Sequence, residues 1–251
     1  MTERSAPDAL NVMSVTAMAP PDTPSMRPDL RSALLAGTTG LIGRALLTLL
    51  LASPHYASVH ALLRRSVGDL PAHPKLHIDV VDFERLPALP AVDDVFIALG
   101  TTIKVAGSEA AFRRVDFDAV LATARLARAA GARRVFVVSA LGADAGSSVF
   151  YNRVKGEMER AVTTLGYETV VFARPSLLLG DRAALGQPVR AGERWALRLL
   201  RPVLGIVPAG LRPIDAGDVA RAMLRAAIDA EPGLRILGSA RMQPTAVQRA
   251  P

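Results

Sequence analysis

The sequence predicts an α/β fold, in which a doubly wound parallel sheet carries helices on both faces and a small lobe follows on the C-terminal side. Two observations support this class. Short runs that are apolar on both faces recur along the chain, and most are separated by helical segments rich in Ala, Leu and Arg. Strands buried on both faces belong to sheets that helices cover on each side. The predicted strands lie at 32–36, 59–63, 76–81, 95–99, 135–138 and 169–172, and the longest helical segments lie at 109–130 and 149–165.

The domain organisation is predicted from the length of the chain and from the positions of its prolines. The chain has 251 residues, of which 50% are hydrophobic, enough for one domain with a sizeable core. Residues 1–30 are interrupted by prolines and lack a sustained apolar stretch, so we expect a disordered leader and no signal peptide. Residues 31–251 are expected to form a single domain. After Pro175 the alternation of strand and helix breaks down, and 176–251 is expected to contribute a small substrate-binding lobe.

The composition disfavours several classes of function. No cysteine is present, which excludes a disulfide framework and a thiol nucleophile. His73 and His77 have helical spacing, but Pro74 breaks a helix between them, so no metal site is expected. The net charge of +7 comes almost wholly from scattered arginines, without an aromatic-rich basic patch, so nucleic-acid binding is disfavoured. Because the chain has no uncharged apolar run of about 18 residues, we expect no transmembrane segment and a cytoplasmic protein.

A glycine-rich turn joins the first predicted strand to the first helix. Residues 37–43 read GTTGLIG, which places Gly37, Gly40 and Gly43 at three-residue intervals. A strand that turns sharply into a closely packed helix, with a diphosphate against its backbone, favours residues without a Cβ. The start of the helix also offers free N–H groups and a partial positive charge. We therefore expect a Rossmann-type dinucleotide site, with cofactor contacts from Gly37, Thr38, Thr39, Gly40, Leu41, Ile42 and Gly43.

The residues after the second predicted strand favour NADP over NAD. An NAD site usually has an acidic residue there to hold the ribose 2′-hydroxyl, whereas this chain has Arg64 and Arg65. Guanidinium groups suit a 2′-phosphate, and Arg44 is placed to assist from the helix start. The alternative is that these are ordinary surface arginines in an arginine-rich chain. Further cofactor contacts are expected from Asp82 near the adenine and from Leu99, Gly100 and Thr101 beneath the cofactor.

A tyrosine and a lysine share one face of a later helix. Tyr151 and Lys155 are four residues apart, so they lie one turn apart on the same side. Ser139 ends a predicted buried strand, and chemistry in open parallel sheets gathers outside the carboxyl ends of the strands. The helix that follows can bring Tyr151 back over this edge. The alternative is that Tyr151 is a packed side chain beside a solvated Lys155, and Ser147 and Ser148 are alternatives to Ser139.

These motifs resemble the short-chain dehydrogenase/reductase superfamily when they are taken together. The resemblance rests on the glycine turn, Ser139 and the Tyr151/Lys155 pair. Arg174-Pro175-Ser176 and the segment 213–220 are similar to its extended and atypical members. The stretches 99–102, 106–107, 115–116 and 151–157 resemble the Tat-interacting-protein-like NAD(P)-binding oxidoreductases.

The resemblance implies a role for each of these side chains. Tyr151 would be the acid/base: a free tyrosine has a pKa of about 10, and the Lys155 ammonium would favour the phenolate while also holding the nicotinamide ribose. Ser139 would steady the charge on the substrate oxygen, and Pro175 would contact the cofactor. Many members carry an asparagine of the proton relay where this chain has Asp116, a departure that leaves the relay open.

The expected function is that of an NADP-dependent oxidoreductase, or an epimerase-like enzyme, acting on a carbonyl, alcohol or sugar-like small molecule. The alternative is a non-catalytic NADP(H)-binding protein that senses redox state or stabilises a partner interface. Arginines at helical spacing between 190 and 201 are interpreted as a solvated helix face, a lid over an anionic substrate or a peripheral membrane contact. The superfamily often dimerises, so a homodimer is compatible with the resemblance.

Overall fold

A computed structural model of the chain describes residues 30–66, 70–179 and 208–244. The predicted leader and the arginine-rich stretch at 190–201 lie outside the described residues. The elements in chain order are β1 (Arg31–Ala36), α1 (Leu41–Ala52), β2 (Tyr56–Leu63), β3 (Leu76–Val80), β4 (Asp94–Ile97), α2 (Ile103–Ala106), α3 (Glu109–Arg113), a π-helical turn (Arg114–Ala119), α4 (Val120–Ala129), β5 (Arg134–Val138), α5 (Phe150–Thr163), β6 (Thr169–Arg174), β7 (Leu178–Leu179), β8 (Ile214–Asp215), α6 (Ala216–Asp229), β9 (Gly233–Gly238) and α7 (Ser239–Met242).

Seven strands form one parallel sheet in the order β3-β2-β1-β4-β5-β6-β9, and β7 pairs with β8 in a separate two-stranded sheet. The chain runs outward from β1 on one side and from β4 on the other. These two neighbouring strands therefore form a switch point, where ligands bind outside the carboxyl ends of the strands. The predicted doubly wound α/β fold is confirmed, and the glycine turn after β1 lies at this switch point.

Apolar helix faces cover both sides of the sheet. On one side, α1 and α6 pack against strand residues that include Phe96 and Phe136, whose rings stack 4.9 Å apart. On the other side, α4 and α5 bring Val120 and Met158 against Ile97 and its neighbours. These five side chains are fully buried, and burial of a large apolar side chain contributes about 1.5–3 kcal/mol. Phe96 and Ile97 are consecutive and point to opposite sides, which explains why the strands are apolar at nearly every position.

The two ends of the sheet depart from the expected burial. The sequence predicts 76–81 as a strand buried on both faces, and this is wrong for Ile78 and Val80, which are 48% and 58% exposed. The reason is position: within the described residues β3 pairs with β2 alone, so it is an edge strand. At the opposite end, β9 pairs with β6 and is the seventh strand of the same sheet. Part of 176–251 thus extends the main sheet, and the small lobe stays a prediction for the remainder.

A buried ion-pair cluster closes the amino edge of the sheet. Asp94, the first residue of β4, is fully buried and pairs with Arg31 at 3.1 Å and with Arg134. It also accepts a hydrogen bond of 2.6 Å from the Tyr56 hydroxyl. Because this cluster lies at the end of β4 opposite to the glycine turn, it serves the fold and stands apart from the site described below.

Replacing Asp94 with asparagine is expected to lower the free energy of unfolding by about 3 kcal/mol. The amide keeps the size of the side chain but leaves two largely buried guanidinium groups without a carboxylate. Chemical denaturation followed by circular dichroism measures the change. The matched control is Arg133→Ala, which breaks the solvent-exposed pair with Glu168 and should leave the stability nearly unchanged. An Asp94→Asn variant as stable as the wild type would contradict the role assigned to the cluster.

Candidate active site

Close backbone contacts shape the glycine turn between β1 and α1. Gly37 has a φ of 97°, a left-handed conformation that favours glycine. A Cβ on Gly37 would lie 2.5 Å from the carbonyl carbon and oxygen of Ala98, just after β4. A Cβ on Gly43 would lie 1.9 Å from the Gly37 carbonyl oxygen. Both glycines are therefore required by the fold itself.

Gly40 has more space around its Cα than Gly37 and Gly43 have. The nearest atom to a Cβ on Gly40 would be the Gly37 carbonyl oxygen at 3.4 Å, which is close to an ordinary van der Waals distance. Its backbone is extended, with φ −83° and ψ 165°, so a larger residue would fit the local conformation. The protein itself does not require glycine at this position. A glycine here leaves the backbone open to an approaching group, as a bound diphosphate needs.

The start of α1 offers a partial positive charge and carries no acidic residue in its first turn. Gly40 is the N-cap and provides no side-chain hydrogen bond. The Thr38 hydroxyl is fully buried and has no hydrogen-bond partner among the described residues. Free amides, the helix dipole and an unsatisfied hydroxyl together suit the phosphates of a dinucleotide. The remaining members of the turn are Thr39, Leu41 and Ile42.

The residues predicted to select the cofactor lie along the same edge of the sheet. Arg64 and Arg65 directly follow β2, which pairs with β1, and both are exposed. Asp82 lies two residues beyond β3, is exposed, and accepts a hydrogen bond of 2.9 Å from the Glu84 N–H. Parallel pairing puts the ends of these three strands side by side, where the adenosine half of a dinucleotide would extend from the turn. The NADP preference and the adenine contact of Asp82 stay predictions.

A cavity of about 350 Å³ lies beside the carboxyl ends of β5 and β6. Its lining residues are Ser139, Ala140, Leu141, Tyr151, Pro175, Ser176, Leu177 and Leu178. Ser139 follows β5, and its hydroxyl is buried without a partner among the described residues. Tyr151 enters from the first turn of α5, with its ring centre 5.3 Å from that of Phe112. The structure therefore brings the Ser139 hydroxyl and the Tyr151 phenol together in one cavity.

The loop between β5 and α5 packs tightly on the helix that carries Tyr151. A Cβ on Gly156 would lie 2.1 Å from the Ala145 backbone nitrogen, so glycine is required there. Sequence reasoning gave Gly156 no positioning role, although a glycine inside an amphipathic helix is itself a signal of close packing. The Ser147 hydroxyl accepts a hydrogen bond from the Val149 N–H at 3.1 Å, and neither Ser147 nor Ser148 lines the cavity. Of the three serines proposed from the sequence, Ser139 is therefore the one that shares the cavity with Tyr151.

An ion pair fixes α5 to the end of β6. Arg174 donates two hydrogen bonds to the Glu159 carboxylate, at 3.0 and 2.6 Å. Glu159 is buried on α5, and Arg174 directly precedes Pro175, which lines the cavity. A bidentate pair holds both partners in one orientation. The helix and the strand end that face the cavity are thereby locked to each other.

Lys155 is buried and paired with Asp116. Lys155 lies one turn beyond Tyr151 and is 2% exposed, and its ammonium nitrogen is 2.7 Å from Oδ1 of Asp116. Asp116 is 1% exposed and lies in the π-helical turn. Its Oδ2 accepts a hydrogen bond of 2.9 Å from the Thr101 N–H, which ties the loop after β4 to α5. The alternative in which Lys155 is solvated is therefore wrong, and sequence reasoning missed the partner of this lysine.

A larger groove of about 500 Å³ lies on the outer side of α5. It is lined by Arg113, Phe117, Glu157, Arg160, Ala161 and Thr164. None of the predicted site residues lines it, and its charged side chains Arg113 and Glu157 pair with each other at 2.5 Å. We place the site at the smaller cavity, because that cavity contains the buried Ser139 hydroxyl, for which the described ranges offer no hydrogen-bond partner.

The fold and this edge of the sheet define a pyridine-nucleotide-binding protein of the Rossmann type. The chain belongs to the NAD(P)H-binding family, whose model matches residues 37–176. Among individual proteins it is similar to the HTATIP2 protein of Rattus norvegicus, at 37% identity over 202 residues, which cover 77% of this chain and 80% of the relative. It is also similar to the mitochondrial fmp52 protein of Aspergillus fumigatus, at 36% identity over 210 residues, covering 79% and 88% of the two chains.

Solved structures show the same fold at lower identity. MoeE5 in complex with UDP-glucose and NAD has a TM-score of 0.61 and 21% identity, with 82% of this chain and 74% of that chain covered. An oxidoreductase of the short-chain dehydrogenase/reductase family from Burkholderia thailandensis has a TM-score of 0.59 and 17% identity, with 87% and 95% covered. The sequence matches confirm the resemblance to the Tat-interacting-protein-like NAD(P)-binding oxidoreductases, and the solved structures show the fold that they share with this chain.

Proposed function

We propose that this protein is an NADP(H)-dependent oxidoreductase of the short-chain dehydrogenase/reductase type that acts on a carbonyl or alcohol substrate. The observation that carries the proposal is that the Ser139 hydroxyl, which has no hydrogen-bond partner in the described part of the chain, and the Tyr151 phenol line one cavity. This cavity lies at the edge of the sheet where parallel α/β proteins bind their ligands. The fit of the glycine turn to a diphosphate supports the same function.

Each side chain has a distinct task in this proposal. The phenolic oxygen of Tyr151 exchanges a proton with the substrate oxygen, and the Ser139 hydroxyl donates a hydrogen bond to that same oxygen. Lys155, one helical turn away on the same helix, would hold the nicotinamide ribose. NADP(H), when bound, supplies or accepts the hydride. Residues 37–43 would hold the diphosphate, and Leu99, Gly100 and Pro175 would contact the nicotinamide half.

The walls of the cavity favour a carbonyl compound with apolar substituents. Apart from three hydroxyl-bearing side chains, the lining consists of Ala140, Leu141, Pro175, Leu177 and Leu178. One of the three hydroxyls, that of Ser176, is already engaged by the Arg212 carbonyl oxygen and by Ser239. Sugar hydroxyls buried against such walls would lose hydrogen bonds to water without replacement. We therefore place apolar aldehydes and ketones ahead of sugar-like substrates.

Oxidation of NADPH by the purified full chain tests this function. A panel of apolar aldehydes and ketones is tested with NADPH, and UDP-sugars, which carry alcohols and no free carbonyl, are tested with NADP+; the change in NADPH absorbance is followed in both cases. Turnover with at least one apolar carbonyl compound is expected. Turnover with UDP-sugars alone would overturn the substrate class while leaving the chemistry intact.

A non-catalytic NADP(H)-binding protein is the second candidate function. One observation favours it: the Lys155 ammonium is already held by Asp116 at 2.7 Å, so the charge of this lysine has a partner without any substrate or cofactor. In that function the nucleotide would report redox state or stabilise a partner interface. A protein that NADPH stabilises against heat, but that oxidises NADPH with no member of the panel, would establish this second function.

The preference for NADP is expected to depend on Arg64. Arg64→Ala should weaken NADPH binding by about tenfold, since a hydrogen bond to a charged group contributes about 1.5–3 kcal/mol, and should leave NADH binding unchanged. Calorimetric titration of both nucleotides measures this, and Arg65→Ala is compared in the same way. Arg133→Ala is the matched control, because Arg133 is an exposed arginine at the opposite edge of the sheet. A wild-type protein that binds NADH more tightly than NADPH would show that the cofactor assignment is wrong.

Location and assembly stay predictions. No helix within the described ranges has the length and apolar character needed to cross a bilayer. The Aspergillus fumigatus relative is described as mitochondrial, whereas we propose a cytoplasmic location for this chain. Fractionation of the cells that express it would decide between the two. A homodimer is likewise a proposal, which the mass of the purified protein in solution tests.

A further inference from the structure

Asp116 lies where three parts of the proposed site meet. Its carboxylate contacts the Lys155 ammonium of α5 at 2.7 Å and the Thr101 N–H of the loop after β4 at 2.9 Å. The carboxylate itself belongs to the π-helical turn between α3 and α4. Asp116 and Lys155 are both almost completely buried. One side chain thereby links the loop expected beneath the cofactor to the helix that carries Tyr151.

The geometry explains why an acid, and not its amide, stands at position 116. Two donors converge on this side chain, and each takes a different oxygen. A carboxylate offers two acceptor oxygens, whereas an asparagine offers one acceptor and turns a donor towards the other partner. With asparagine, either Lys155 or the Thr101 N–H would lose its acceptor. The aspartate that this chain carries in place of the family's asparagine therefore suits the two donors that surround it.

The π-helical turn sets the direction of Asp116. A π turn widens the helix by one residue and changes which side chains face inward, and such turns are frequent at functional sites. Arg113, the last residue of α3, and Arg114, the first residue of this turn, keep 40% and 56% of their side chains exposed. Asp116, two residues later, is 1% exposed. The local geometry thus directs the carboxylate inward, towards Lys155.

The pairing leaves Lys155 able to serve a ligand. A lysine ammonium has three N–H donors, and Asp116 is the one partner of this ammonium among the described residues. Two donors remain, enough to hold the hydroxyls of a nicotinamide ribose. A buried ammonium without a carboxylate would carry a large desolvation cost, so the ion pair with Asp116 offsets that cost and holds the lysine side chain in place before the cofactor binds.

We propose that Asp116 is a positioning residue of the hydride-transfer site, which fixes the Lys155 ammonium and the Thr101 loop in one buried arrangement. This inference rests on the proposed function, because the arrangement matters for catalysis only if Tyr151 and Lys155 act on a substrate. Among the described residues, Asp116 forms no hydrogen bond or ion pair with the cavity lining or with the Tyr151 phenol, so it acts through Lys155 and Thr101.

Turnover of Asp116→Asn provides the first test. We expect kcat to fall by about a hundredfold, the scale of a loss of alignment in a site of this kind, with the KM for the carbonyl substrate changed much less. Asp94→Asn is the matched control: it makes the same substitution in a second buried aspartate, which pairs with arginines at the opposite edge of the sheet. That control should be less stable but should keep its kcat per folded molecule. Equal losses of kcat in both variants, or none in Asp116→Asn, would overturn the proposal.

A magnetic-resonance measurement tests the same proposal without turnover. The chain contains three lysines, Lys75, Lys104 and Lys155, so isotope-labelled lysine ammonium groups give a simple spectrum. We expect a persistent, exchange-protected signal from Lys155 in the wild type, absent in Asp116→Asn and shifted when NADPH is added. Assignment comes from a Lys155→Met variant.

The two measurements separate this inference from the proposed function. If no carbonyl substrate is turned over but the Lys155 signal is protected and responds to NADPH only when Asp116 is present, the oxidoreductase function fails and the positioning of Lys155 stands. If turnover is robust but the wild-type Lys155 signal is unprotected, or is unchanged in Asp116→Asn, the function stands and the role of Asp116 is refuted.

Discussion

Tyr151→Phe is expected to lower turnover of any reactive carbonyl compound by at least about a hundredfold, since a positioned acid/base contributes about 10²–10⁴ in rate. The variant keeps the ring and its contact with Phe112 at 5.3 Å, so the helix and the cavity should be unchanged. It removes only the phenolic oxygen, which is the group proposed to exchange a proton with the substrate. NADPH should bind with a Kd within about threefold of the wild type. Steady-state kinetics and calorimetry on the same preparation measure both quantities.

The matched control for this experiment is Tyr167→Phe. Tyr167 is buried, and its hydroxyl donates a hydrogen bond of 2.6 Å to the Ala124 carbonyl oxygen, away from the cavity. Burial raises the pKa of Tyr167 above its ordinary value, so this phenol stays protonated. The control should be somewhat less stable than the wild type but should keep the wild-type turnover rate. A Tyr151→Phe variant with wild-type kcat would remove Tyr151 from the mechanism.

Much of the fold was predictable because strands that are buried on both faces are apolar at nearly every position. The runs at 95–99 and 135–138 correspond to β4 and β5, whose consecutive residues contact helices on opposite sides of the sheet. The exposure of Ile78 and Val80 was not predictable, because the sequence does not state which strand ends the sheet. The same limit applies to β9, whose pairing with β6 depends on a long-range contact.

The site was predictable where it depends on the fold class and on helical spacing. Ser139 was expected at the end of a strand and Tyr151 on the next helix, and both line one cavity. The ion pair of Lys155 with Asp116 was not predictable, because 39 positions separate the partners along the chain and a π-helical turn sets the direction of Asp116. Helical periodicity of 3.6 residues assumes an unbroken α-helix through 109–130. The only signal in the sequence was that position 116 carries an aspartate where the family usually carries an asparagine.

Gly40 and Gly43 are expected to fail in different ways when each is replaced by alanine. In Gly43→Ala the new Cβ would lie 1.9 Å from the Gly37 carbonyl oxygen and 2.6 Å from its carbon. Both are backbone atoms, so the turn must shift, and we expect a loss of about 1–3 kcal/mol in the free energy of unfolding. In Gly40→Ala the nearest atom is at 3.4 Å, so the variant should fold with a small change, the cost of alanine at an N-cap. NADPH binding by Gly40→Ala should nevertheless weaken by at least about tenfold, because the methyl group occupies the space a diphosphate needs.

Denaturation and calorimetric titration with NADPH separate the two effects, and Gly238→Ala is the matched control. Gly238 is also an N-cap in extended conformation, with no atom within 4 Å of its Cβ position. It lies on β9, four strands from β1 in the sheet order, so its methyl group should leave NADPH binding unchanged. A Gly40→Ala variant that binds NADPH like the wild type would mean that no diphosphate approaches the turn at this position. Because Tyr151 and Lys155 depend on a nucleotide docked there, the proposed hydride transfer would then lose its support.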